Sequence, residues 1–222
     1  MTFVKDKSSI KYFCLAGIIL LCLYSSAVSE LFVPIFDDIY YGNLVKLFTS
    51  LINAIVWGVE IILILFVCKK LKIELFENKN KKELTTIQVI LLFVLAILPM
   101  LIVSACINWK VKIVYSLGVK VTSVGLACNA VEILSFAVRM VLMILFIVCT
   151  QKGCEKIFKT KWIIPYGAIF ALLTFGIIDF FVLAMDLRAF YLIISFLYGI
   201  IYLVAEKKFG LTWLLCYLVY LL

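Results

Sequence analysis

No histidine occurs anywhere in the 222 residues, which removes the commonest metal ligand and the commonest general base near neutral pH. Charge is also scarce: Asp, Glu, Lys and Arg make up 15% of the chain, against about a quarter in an average soluble domain. Prolines number three, and neither a glycine-rich phosphate loop nor a nucleophile elbow is present. Histidine-based hydrolases, phosphate-loop nucleotide enzymes and soluble globular domains are set aside on these grounds. Cysteine is plentiful at eight, but metal-ligand spacing is missing. Cys14, Cys22, Cys106, Cys128 and Cys216 lie within apolar runs and read as small hydrophobes, so no metal and no cofactor is expected.

What the chain does have is apolar length. Two-thirds of it is hydrophobic, and runs of about 20 residues recur, the length that crosses ~30 Å of hydrocarbon at ~1.5 Å per residue. The expected fold class is all-α, a polytopic membrane helix bundle forming a single membrane domain over residues 1–222. Spans are predicted at 12–28, 44–68, 85–107, 121–149, 162–185 and 189–205. A seventh apolar segment, 211–222, is too short to cross alone and is expected as a half-span or re-entrant piece. Pro99 lies inside the third span and predicts a kink; Pro165 begins the fifth.

The net charge of +8 does not point to nucleic acid, because the basic residues flank spans instead of alternating with aromatics along a stripe. They set orientation. Lys5, Lys7 and Lys11; Lys69, Lys70, Lys72, Lys79, Lys81 and Lys82; Lys152, Lys156, Lys159 and Lys161; and Lys207 and Lys208 fall on one side of the predicted spans. The other side holds Lys46, Lys110, Lys112, Lys120 and Arg188, with Glu30, Asp37, Asp38 and Asp186 among them. Short basic loops stay in the cytoplasm, so the N-terminus is expected there, in a multi-pass protein of the cell membrane whose first partner is the lipid bilayer. "KYFCLAGIILLCLYSSAVSE" has the basic, apolar, small-residue order of a signal peptide, with Ala27 and Ser29 placed like a cleavage site, but is expected to be kept as the first span. Cys68, Cys149 and Cys154 lie near the expected cytoplasmic boundary, where S-acylation is chemically available, and are expected unmodified.

Four ionisable residues interrupt the spans: Glu60, Glu132, Arg139 and Asp179. Each costs on the order of 2.5 to 3.5 kcal/mol near a bilayer centre by insertion scales, so each should face protein or water. Glu132 and Arg139 share a helix face but lie ~10 Å apart along the axis, too far to pair. By depth, Glu60 is the expected partner of Arg139, which requires the second and fourth spans to be neighbours. Glu132 and Asp179 both fall on the outer half, with Asn53, Asn129 and Thr174 as hydrogen-bonding candidates for a buried polar network. Such residues either tie helices together or line a pathway.

Residues 162–222, "WIIPYGAIFALLTFGIIDFF…LRAFYLIISFLYGIIYLVAEKKFGLTWLLCYLVYLL", resemble the C-terminal core of the CPBP intramembrane proteases, the family of the CAAX-prenyl endopeptidases and bacteriocin-immunity proteins. The similarity rests on the "AIFALLT" span and on Gly199, Lys207, Lys208, Gly210 and Trp213, the glycine, basic turn and tryptophan of the family pattern. The family's catalytic pattern is a Glu-Glu-x-x-x-Arg helix, a Phe-x-x-x-His helix and a further His or Asn. Here Glu132 and Arg139 stand seven apart, the first glutamate is missing, Phe170 is followed by Thr174 where histidine belongs, and no third polar residue lies near Val219. The resemblance therefore implies a catalytically degenerate member, since threonine supplies no base near neutral pH.

Two functions follow as expectations. The first is a non-enzymatic scaffold or accessory subunit that presents a groove or helix face to a membrane-protein partner. The second is a transporter or permease subunit with a polar pathway past Glu60, Glu132, Arg139 and Asp179. An active protease ranks third.

Overall fold

The structure, a computed structural model, describes residues 7–26, 42–76, 84–106, 123–158, 164–182 and 185–221. Among them there is no strand, and they form seven helices. They are α1 (Lys7–Leu23), α2 (Gly42–Lys70), α3 (Thr86–Cys106), α4 (Ser123–Phe158), α5 (166–182), α6 (Met185–Val204) and α7 (Phe209–Leu221). α5 is composite: Tyr166–Ala171, then a π-helical turn Leu172–Gly176, then Ile177–Val182. Each predicted apolar segment carries one helix. Two are long and apolar enough, by length and composition, to cross a bilayer: α2 over Leu47–Lys70 and α4 over Ala127–Phe158. The others are apolar over shorter stretches, Ser8–Leu23, Thr86–Pro99, Tyr166–Gly176, Leu192–Val204 and Phe209–Leu221.

Helix is the solution an apolar chain of this kind reaches, because it satisfies backbone N–H and C=O groups within each segment. The ends are finished by local chemistry. Thr85 and Gln88 form a capping box at the start of α3: the Thr85 N–H donates to Gln88 Oε1 at 2.9 Å and the Gln88 N–H to Thr85 Oγ1 at 3.3 Å. α2 closes with Lys72 in the left-handed region (φ 52°) and the Ile73 N–H donating to the Cys68 carbonyl at 2.9 Å. α6 closes the same way, with Glu206 at φ 55° and the Lys207 N–H on the Tyr202 carbonyl. Both are Schellman-type ends with a charged residue where glycine is usual.

α4 is the central post. α1, α2, α5 and α7 pack along it, and α6 lies on α5 and reaches α3 and α7. Every residue from 142 to 154 is buried, whereas above that stretch Leu134 is exposed and Ile133, Phe136, Val138 and Arg139 are half-buried. This corrects the expected end of the fourth span at residue 149. The helix runs on to Phe158, and Thr150, Gln151, Lys152 and Cys154 are buried within it. Hydropathy stops where polar residues begin, but here those polar side chains find partners on neighbouring helices and stay inside.

Close approach at two glycines brings α5 against its neighbours. A Cβ on Gly167 would lie 2.8 Å from the Ile147 carbonyl of α4, and one on Gly199 would overlap the backbone of Ala168, so α4, α5 and α6 meet almost backbone to backbone. Small residues at a crossing let helix backbones approach this closely. Pro99 lies inside α3, as the sequence requires.

Candidate functional site

Two polar groupings stand out, one at the basic end of the bundle and one at mid-height. At the basic end, Gln151 of α4 uses its whole amide. Its Oε1 accepts from the Gly167 N–H at 2.8 Å, and its Nε2 donates to the Ile164 carbonyl at 3.1 Å and to Glu155 Oε1 at 2.7 Å. The Gly167 N–H belongs to the first turn of α5, where backbone donors lack helical partners, so a glutamine on another helix caps it. One turn on, the Glu155 carboxylate takes Lys207 Nζ on both oxygens at 2.9 Å, which ties α4 to the α6–α7 turn. Neighbouring Glu206 accepts from Gln88 Nε2 at 2.7 Å, so the residue that caps α3 also holds that turn.

The remaining basic-end contacts bring in α1 and the segment after α2. Tyr12 and Lys152 both donate to the Glu74 carbonyl, at 3.1 and 3.0 Å, and Lys156 reaches Ser8 at 3.2 Å and lies 4.7 Å over the Tyr12 ring. Lys152, expected as a loop lysine that sets orientation, is therefore buried and engaged. The start of α1, the ends of α2 and α4, the starts of α3 and α5, and the α6–α7 turn all lie at this one end. Cys68, Cys149 and Cys154 are also buried near it.

At mid-height stands Arg139. The expected neighbourhood of α2 and α4 holds, but the expected Glu60–Arg139 ion pair is not formed. The guanidinium lies over the Trp57 ring of α2 at 5.6 Å and over Phe136 of its own helix at 5.9 Å, and its Nε is buried without a hydrogen-bond partner. Glu60, one turn beyond Trp57, turns instead to the end of α1, beside Cys22 and Ser25, with Oε2 buried and unpartnered. The two helices are neighbours but the two side chains turn apart, because the rotation of one helix against another is not legible in a sequence. Magnitudes show what this leaves. A desolvated cation–π contact contributes about 2 kcal/mol, against about 2.5 to 3.5 kcal/mol that insertion scales assign to an arginine at a bilayer centre, so two rings would offset much of such a cost and supply no counter-charge.

The aromatic shell continues on α7. Trp213 Nε1 donates to the Ala137 carbonyl at 3.0 Å and the Tyr217 hydroxyl to the Ile133 carbonyl at 3.1 Å, while Tyr220 stacks on Phe136. The seventh segment is thus a 13-residue helix docked antiparallel on the upper half of α4.

The other residues singled out in the sequence are scattered. Glu132 lies half-buried on α4, where its carbonyl accepts from Ser135 at 2.8 Å, and Asn129 is buried one turn above. Asn53 is half-buried on α2. Thr174 falls in the π-turn of α5 and donates to the Phe170 carbonyl of its own helix at 2.8 Å. Asp179 sits in the Ile177–Val182 segment, which packs along α6; its side chain lies outside the described residues. Sequence reasoning missed Trp57, Gln151, Glu155 and Lys207. For Gln151 a signal was there, a polar residue directly after an unbroken apolar helix, but the span had been closed two residues earlier. Among the described residues, no group of three or more His, Cys, Asp and Glu side chains is placed to hold a metal ion. No protein-family model, curated protein or solved structure matches the chain.

Proposed function

We propose that this chain is a multi-pass membrane protein, crossing the bilayer six times with its N-terminus in the cytoplasm, that serves as a non-catalytic scaffold or accessory subunit. The observation that carries the reading is the employment of its polar side chains. Gln151, Glu155, Lys207, Gln88 and Glu206 join helix to helix, and the Arg139 guanidinium lies against aromatic rings. The resemblance to a degenerate CPBP protease fits this reading, since the Thr174 hydroxyl donates to its own helix backbone.

The test is affinity purification of the full chain in native lipid discs, with mass spectrometry of what accompanies it. A stoichiometric membrane protein is the expected result; a lone, monodisperse chain would overturn the reading. One observation favours a carrier as the second reading: among the described residues, Glu60 Oε2 and Arg139 Nε are both buried without hydrogen-bond partners. Proton or solute flux in proteoliposomes that Glu60→Gln abolishes would establish it.

A further inference from the structure

α2 and α7 both pack on α4, yet they do not pack along one another. The segment that follows α2 meets the start of α7 at the basic end, where the Phe76 and Phe209 rings lie edge to face at 5.1 Å. Above that contact, α4 carries Glu132, Phe136 and Arg139 at spacings of four and three, which places them on one stripe, along which Phe136 meets α7 and Arg139 meets α2. Trp57 flanks the stripe from α2 and Tyr220 from α7. Arg139 is half-buried there, and among the described residues it has neither an ion pair nor a hydrogen bond.

From this geometry we propose that the groove between α2 and α7 is a docking site for a transmembrane helix that carries a carboxylate at mid-bilayer, which Arg139 receives. The proposal rests on the scaffold reading and names its partner's chemistry. Three observations select that occupant. A guanidinium is a planar fork of donors matched to a carboxylate. Arg139 lies twelve residues along α4 from Gln151, about 18 Å from the basic end, whereas a lipid phosphate sits at the surface of a hydrocarbon layer ~30 Å thick. The chain's own candidate, Glu60, faces α1.

The test uses the full chain in phosphatidylcholine vesicles and a fluorescent Leu/Ala transmembrane peptide of about 23 residues with one central glutamate, alongside its glutamine twin, with association read by energy transfer. The glutamate peptide should bind unaltered protein roughly tenfold more tightly than the glutamine peptide. The preference should survive in part in Arg139→Lys and vanish in Arg139→Leu. Because the first comparison needs no variant, misfolding of Arg139→Leu cannot hide the answer.

Equal binding of the two peptides would overturn the proposal, as would a preference that persists in Arg139→Leu. A preference that appears only in Glu60→Gln would assign Arg139 to Glu60. Loss of the preference when phosphatidylglycerol replaces part of the phosphatidylcholine would assign it to a headgroup. Equal peptide binding together with a stoichiometric native partner would sink this assignment alone, and a lone chain in native discs would sink the scaffold reading itself.

Discussion

A single side chain can fix a helix junction or carry little weight, and Gln151 and Thr174 mark the two extremes. Gln151 is buried and makes three hydrogen bonds to other groups, one of them the cap of α5. Replacing it by leucine leaves the Gly167 N–H and the Ile164 carbonyl without it, at about 1 to 3 kcal/mol for a buried donor left unsatisfied. Gln151→Leu should therefore lower the thermal midpoint of the detergent-solubilised protein by several degrees. Thr174→Val removes a hydroxyl that bonds its own backbone and should shift the midpoint little, since such back-bonding slightly destabilises a helix. A large loss in Thr174→Val would mean the π-turn depends on that hydroxyl. Arg139 was visible in the sequence because charge contrasts with an apolar run. Its partners were not, since Trp57 and the α7 aromatics resemble any other residues of a lipid-facing helix until the fold brings them together.

Helices as units were the most legible part of the sequence, because an unbroken apolar run satisfies its backbone most simply as a helix. Among the described residues each of the seven apolar segments carries a helix, the fourth running nine residues past its expected end. The extension of α4 to Phe158 and the π-turn of α5 were not legible: hydropathy measures transfer, and both features come from packing and from hydrogen bonds between helices. The ends themselves are open to test. Lys72 is exposed and holds the left-handed position that closes α2, where a side chain costs roughly 1 kcal/mol that glycine does not. Lys72→Gly should raise stability by about 0.5 to 1 kcal/mol, read from the same thermal unfolding. Glu206 offers no such gain. Its left-handed backbone comes with a hydrogen bond from Gln88 that glycine would remove.

Across the whole molecule, the lysine-rich ends gather at one pole, held by Lys156 on Ser8, Lys152 on the Glu74 carbonyl and Lys207 on Glu155. If that pole faces the cytoplasm, epitopes placed at the N-terminus and after Lys79 should be detected only in permeabilised cells, and one after Lys112 on intact cells. The reverse pattern would invert the protein, and a mixed one would remove the six-span arrangement. The same architecture bears on biogenesis through the order in which the surroundings of Arg139 are made. Trp57 is synthesised before α4, whereas Trp213 and Tyr217 bond to α4 carbonyls 76 and 84 residues earlier in the chain. A growing chain thus has an aromatic ring ready for the cation as soon as α4 is made, and completes the cover only once α7 has followed. Until then Arg139 is an unfinished site, its guanidinium open to whatever meets the growing chain.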